Sequence, residues 1–186
     1  MNTPATRPAS YDDLVDLPDN VVGEIIAGEL ITHPRPSPKH ALAASALGSA
    51  VFSRFDRSSP DGPGGWWILD EPECHLGNDV IVPDIAGWRQ STMPELPETA
   101  WFGVAPDWVC EIISPSTHKY DRSTKRDVYA REHISHYWIV DPVERLIEVF
   151  ELVDSRWVLV LTAQDDLKVS LMPFEGISFD LGRLWA

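Results

Sequence analysis

Three residues carry the chemistry this chain can do: Asp84, Glu111 and Lys125. Asp84 follows Val82-Pro83 and opens Ile85-Ala86, while Glu111 interrupts the apolar run Trp108-Val109-Cys110-Glu111-Ile112-Ile113. A run rich in Val, Ile and Trp reads as a buried strand, and an unpaired acid there costs several kcal/mol. Such acids are expected to be paired, protonated or bound to a metal. Two carboxylates on neighbouring strands can hold Mg²⁺, with Mn²⁺ as a substitute, because the ion wants oxygen ligands and keeps several waters. The ion polarises a phosphoryl oxygen and acidifies a bound water. A nearby ammonium orients that water and offsets charge on phosphorus. Asp121, Lys125 and Tyr129 fall at i, i+4 and i+8, one face of a helix expected from Asp121 to about His133, so Lys125 can lean over the sheet edge.

The elements that must position these residues read as a sheet-rich α/β domain with helices on either side of a mixed central sheet. Residues 1–9 are expected to be a loose tail and residues 10–186 a single domain. Ser10-Tyr11-Asp12-Asp13 has the form of a capping box for a short helix to about Leu17, broken by Pro18-Asp19-Asn20. Val21 to Thr32 reads as a hairpin turning at Ala27-Gly28. The proline-rich run 34–38 delivers His40 to the first turn of a small-residue helix over about 39–55. Strands are expected over 66–76, 80–88, 108–113, 137–140, 146–151, 156–162 and about 175–179. The connection 93–106 carries no readable pattern.

Composition narrows the function classes. The chain has 186 residues, 44% of them hydrophobic, with eight Trp, which suits one domain with a substantial core. No run approaches the roughly 20 apolar residues of a membrane span. Met1 to Arg7 lacks the apolar core of a secretory signal. The two cysteines, Cys74 and Cys110, sit in strand-like runs and read as reduced core thiols, so a cytoplasmic protein is expected. Glu73-Cys74-His75 lacks zinc-ligand spacing. The net charge of −14 opposes non-specific nucleic-acid binding. Yet five of the fifteen basic residues, Lys119, Arg122, Lys125, Arg126 and Arg131, fall between positions 119 and 131. That cluster is either a phosphate-binding surface, with Lys119, Arg122 and Arg126 as its contacts, or a solvated helix face with internal charge pairs.

Val82-Pro83-Asp84-Ile85, Val109-Cys110-Glu111-Ile112-Ile113-Ser114-Pro115-Ser116-Thr117, Asp121-xxx-Lys125-xxx-Tyr129 and Tyr137-Trp138-Ile139-Val140-Asp141-Pro142 together resemble the Uma-type restriction endonuclease family of the PD-(D/E)XK nuclease superfamily. Glu24-Ile25-Ile26-Ala27-Gly28-Glu29-Leu30 resembles that family's acid-plus-hairpin opening, and Pro36-Ser37-Pro38-Lys39-His40 its Pro-Ser-x-x-His element. The resemblance covers about Tyr11 to Phe150. It implies a restriction-endonuclease-like core with added β-hairpins and a DNA substrate. It also implies metal ligation by Asp84, Glu111 and the main-chain carbonyl of Ile112, with Glu24 as an additional acid. The superfamily lysine stands two residues after the second acid, where this chain has Ile113; the resemblance implies that Lys125 takes its role. His40, Ser114, Asp121 and Tyr129 would support the site from behind.

Each residue also has a plainer reading. Asp84 can be a turn residue, Lys125 a surface lysine, His40 a helix cap, and Ser114 and Tyr129 packing groups. Two rival functions stand beside the Mg²⁺-dependent deoxyribonuclease: a nuclease-fold binding module for nucleic acid or protein that does not cut, and a hydrolase of small phosphate esters. Exposed apolar edges point to a homodimer.

Overall fold

The computed structural model describes residues 7–18, 21–60, 62–115 and 117–185. Most of the expected loose tail, and the breaker residues Asp19 and Asn20, lie outside the described residues. Within the tail, Ala9 donates its N–H to Gly28 O at 2.8 Å and Arg7 pairs with Asp13. Helix α1 (Tyr11–Val15) starts at Ser10, whose N–H goes to the Asp13 carboxylate at 2.7 Å.

Strands β1 (Val22–Ile26) and β2 (Glu29–His33) form the hairpin. Its two turn residues, Ala27 and Gly28, both have positive φ (55° and 79°), the geometry whose twist matches the flanking strands. Helix α2 (Pro38–Phe55) is capped by the Ser37 side chain and begins on Pro38, which lacks only an N–H that would be orphaned anyway. It buries Ala43, Leu47, Gly48, Val51 and Phe55, a stripe at helical spacing.

The two long strands expected over 66–76 and 80–88 are each cut in two. The first becomes β3 (Trp66–Asp70) and β4 (Cys74–Leu76), the second β5 (Asp79–Ile81) and β6 (Ile85–Arg89). Pro72 and Pro83 cause the cuts, since neither has an N–H for a central ladder. The halves then join different sheets. One sheet runs β2-β1-β5-β4. The other contains β3, β6, β7 (Trp108–Ile112), β8 (His136–Asp141), β9 (Leu146–Val153) and β10 (Arg156–Gln164), in the order β10-β9-β8-β7-β6-β3. Among the named strands of this sheet only β7 and β8 pair in parallel, so the central sheet is mixed.

The helix expected from Asp121 to His133 is also divided, into α3 (His118–Asp121) and α4 (Thr124–Arg131). The Ser123 hydroxyl turns back onto Lys119 O at 2.5 Å, and its backbone leaves the helical region (φ −128°, ψ −90°). The chain closes with β11 (Lys168–Leu171), which the sequence pattern did not predict, then β12 (Phe174–Asp180) and a 3₁₀ turn over Leu181–Leu184.

Strand alternation divides the interior into two hydrophobic clusters. Trp66, Ile68, Ile85, Trp108, Cys110, Ile112, Trp138 and Val140 face α2 and the C-terminal hairpin. Ala86, Trp88, Val109, Ile113, Tyr137 and Ile139 face α4 and the four-stranded sheet. Gly87 lies under Trp66 and Trp108, where a Cβ would approach indole carbon of Trp108 to 3.0 Å. In β10 the register shifts between Leu159 and Leu161, leaving Val160 as an extra residue. Trp157, before the shift, packs with the α4 cluster; Leu161 and Ala163, after it, pack with the α2 cluster. Both cysteines are buried and reduced. Among the described residues no helix is long and apolar enough to cross a membrane.

Candidate active site

Alternation also aims the two acids. Glu111 shares its parity with Val109 and Ile113, so it points toward α4, and Asp84 shares that face with Ala86 and Trp88. The β6–β7 register pairs Ile85 with Cys110; continued by one residue it sets Asp84 across from Glu111. Pro83 ends the previous strand just before Asp84, which places the residue at the seam between the two sheets. There Asp84 Oδ2 accepts the Ile112 N–H at 2.6 Å, and Oδ1 lies 3.2 Å from His40 Nε2 at the start of α2.

Lys125 reaches the same place from α4. Its Nζ lies 2.9 Å from Glu24 Oε1, 3.1 Å from Glu111 Oε1 and 3.6 Å from Asp121 Oδ1. The break between α3 and α4 thus leaves the expected Asp121–Lys125–Tyr129 face intact at its working end. The Tyr129 hydroxyl donates to Glu111 Oε1 at 2.5 Å, so both of these donors pin one oxygen of the carboxylate. Tyr137 donates to Asp121 O at 2.9 Å and fixes the end of α3. Glu24 also accepts the Val82 N–H at 2.8 Å and lies 2.9 Å from His33 Nε2. The side chains of Glu24, Glu111, Asp121 and Lys125 are 1%, 3%, 2% and 4% exposed, against 19% for Asp84.

Burial and charge set the protonation of the cluster. Burial alone would lower the Lys125 ammonium, but Glu111, Glu24 and Asp121 outweigh it and hold it well above the usual lysine range. Burial pushes the Glu111 carboxyl well above the carboxylate range, countered only in part by Lys125 and reinforced by Asp121 and Asp84. Asp121 is raised for the same reason. Burial would raise Glu24 too, but Lys125, His33 and the Val82 N–H together bring it below its ordinary value. Burial would lower His40, and the Asp84 carboxylate more than reverses this.

These residues line a cavity of about 260 Å³, whose walls also include Val22, Val82, Pro34, Pro36, Pro115, Ser37 and Ser114. Ser114 and Thr117 bond to each other at 3.1 Å and shape the rim. Asp84, Glu111, Glu24, His40, Ser114, Asp121 and Lys125 are therefore brought together, with Tyr129 behind Glu111. Ile112 contributes its N–H to Asp84. Lys119, Arg122 and Arg126 lie outside the cavity lining: Arg122 pairs with Glu148 at 2.5 Å, and Arg126 stacks over Phe150. His33 was not foreseen. The hairpin pairs Glu24 with Ile31, which sets His33 diagonally across from Glu24 on the same face, a relation visible only once the register is known.

The donor set suits a hard divalent cation. Three carboxylates, Glu24, Glu111 and Asp121, share one lysine in the cavity that Asp84 also lines, and Asp121 Oδ1 is a buried acceptor with no hydrogen-bond donor within 3.5 Å. Among the described residues no three His, Cys, Asp or Glu side chains form a ready cage. A Mg²⁺ ion typically takes one or two protein carboxylates and keeps its waters, which matches the Asp84–Glu111 pair.

A mixed sheet clasped between helices, with paired acids at a sheet seam, defines a nuclease-like fold. The structure superposes on the crystal structure of a "putative nuclease belonging to DUF820" from Anabaena variabilis with a TM-score of 0.75 at 23% identity, covering 95% of this chain and 97% of the other. The chain belongs to the Uma2 family, described as "putative restriction endonuclease", whose profile matches residues 9–182. A similar protein in Synechocystis sp., itself uncharacterised, is 28% identical over 120 residues, 60% of this chain. The match spans 63% of that relative's length.

Proposed function

We propose that the protein is a metal-dependent deoxyribonuclease that hydrolyses phosphodiester bonds in the Lys125 cavity. One observation carries this reading: a single buried ammonium within 3.6 Å of three carboxylates, in the cavity that also bears Asp84. Asp84, Glu111 and the main-chain carbonyl of Ile112 would hold Mg²⁺, or Mn²⁺ in its place. When bound, the ion supplies a Lewis acid for the phosphoryl oxygen and a more acidic water. Lys125 orients the attacking water and offsets charge on the phosphate. Glu24 and Asp121 hold the ammonium in place, Tyr129 pins Glu111, and His40 steadies Asp84. The water oxygen bonds to phosphorus, one P–O ester bond breaks, and the proton passes to the departing oxygen.

Lys119, Arg122 and Arg126 would meet flanking phosphates, with Arg122 exchanging Glu148 for phosphate. Two copies would associate through the exposed apolar edge of β10, where Val158, Leu159 and Val160 face solvent. Two buried, reduced cysteines favour a cytoplasmic location.

The test is cleavage of plasmid and oligonucleotide DNA in Mg²⁺ or Mn²⁺. Asp84→Ala and Glu111→Ala should abolish cutting, and a chelator should stop the wild type. If wild-type protein cuts no form of DNA with either ion, the hydrolysis reading fails. The small volume of the cavity favours a second reading, a hydrolase of small phosphate esters. Turnover of a chromogenic phosphodiester without DNA cleavage would select it.

A further inference from the structure

We propose that the cavity admits an unpaired DNA strand, one nucleotide at a time, and that a regular duplex does not reach its floor; this rests on the phosphodiesterase reading above. The cavity holds about 260 Å³. Pockets that enclose a drug-sized ligand run roughly 300–1,000 Å³. There is room for one phosphate with its sugar or base, and none for a helical segment. Of the reacting groups that line it, Glu24, Glu111, Asp121 and Lys125 are nearly sealed from solvent, and Asp84 is 19% exposed. A phosphate must therefore descend between the walls, and a strand locked in a duplex carries its partner with it.

The walls suit bases. Pro34 and Pro36 stand on the loop before α2, and Pro115 stands on the loop after β7. Val22 and Val82 continue the apolar lining. Rigid apolar surfaces stack against an extruded base whatever its sequence. They offer nothing to the phosphate-lined outside of a double helix.

Charge leads to the same substrate. Duplex binding draws its energy from neutralising many phosphates, and this chain carries a net −14. Four of the five cations of the 119–131 segment are engaged: Arg122 with Glu148, Arg126 over Phe150, Arg131 with Asp79 and Glu132, and Lys125 inside the cavity. That segment supplies a few phosphate contacts by exchange of partners. A few contacts serve one strand; they do not track a duplex.

The test is fluorescence anisotropy with a labelled single strand and a hairpin duplex of the same sequence, with Ca²⁺ replacing Mg²⁺ so that the probes stay uncut. The single strand should bind about tenfold more tightly or better. A folded Pro36→Ala/Pro115→Ala variant should lose most of that preference; where this variant does not fold, the wild-type comparison decides alone. Equal or tighter duplex binding overturns the proposal, as does failure to bind either probe, or a variant that keeps the full preference. An RNA strand bound more tightly than DNA overturns the choice of DNA. Cleavage in Mg²⁺ or Mn²⁺ is scored separately: a bound single strand that is never cut counts against hydrolysis and supports the strand preference.

Discussion

Replacing Lys125 with Met probes the centre of the site. The substitution keeps the length of the side chain and removes the charge, leaving Glu24, Glu111 and Asp121 around an apolar tip. Breaking a buried ion cluster by deleting one partner costs about 3–5 kcal/mol. For a domain of this size each kcal/mol lowers Tm by about 2–4 °C, so the melting temperature should fall by about 6–20 °C at neutral pH. The pH dependence identifies the cause. Without Lys125 the carboxyls of Glu111 and Asp121, already raised by burial in the wild type, rise further, and Glu24 loses the cation that helps lower it. An acid whose pKa is higher folded than unfolded takes up a proton on folding, so its stability contribution falls as pH rises through that window. The penalty should be smallest near about pH 5 and largest near about pH 8. Guanidinium denaturation of both proteins across that range measures it. A loss below about 1 kcal/mol, or one that does not change with pH, would refute the claim that Lys125 holds this cluster together.

Three further outcomes are expected. Tyr129→Phe removes the donor at 2.5 Å from Glu111 and should cost about 0.5–3 kcal/mol, the range from a neutral to a charged acceptor, read as a lower denaturation midpoint with an unchanged slope. Asp84→Ala should abolish Mg²⁺ binding in isothermal titration, while the unpaired Ile112 N–H costs only about 1–3 kcal/mol of stability; full retention of binding would remove Asp84 from the ligand set. Burial holds His136 below its ordinary value of 6.5, and both ring nitrogens lack partners among the described residues. Its folded pKa lies below the unfolded one, so stability should be lost as pH falls through 6.5, and His136→Phe should flatten that slope.

The acids were legible because each breaks a local rule. A carboxylate in Trp108–Ile112 has no solvent to face, and period-two alternation then fixes which side it serves. Lys125 was legible through its spacing from Asp121 and Tyr129, although the helix expected to carry all three divides at Ser123. What sequence spacing hides is pairing between distant segments. His33 reaches Glu24 only through the β1–β2 register. The split of the strands at Pro72 and Pro83 distributes neighbours in sequence to different sheets, which no local pattern encodes. The basic segment 119–131 reads as one charged face, but Glu148, Phe150 and Asp79, each far along the chain, engage its arginines separately.

The inserted Val160 gives the outermost strand a double allegiance. Because the side chains change sides at that residue, the strand's first half is anchored in one hydrophobic layer and its second half in the other. Neither layer can loosen alone without dragging this strand out of register, so the two halves of the interior should melt as a single cooperative unit, with amide protons of Phe150 and Ala163 exchanging together.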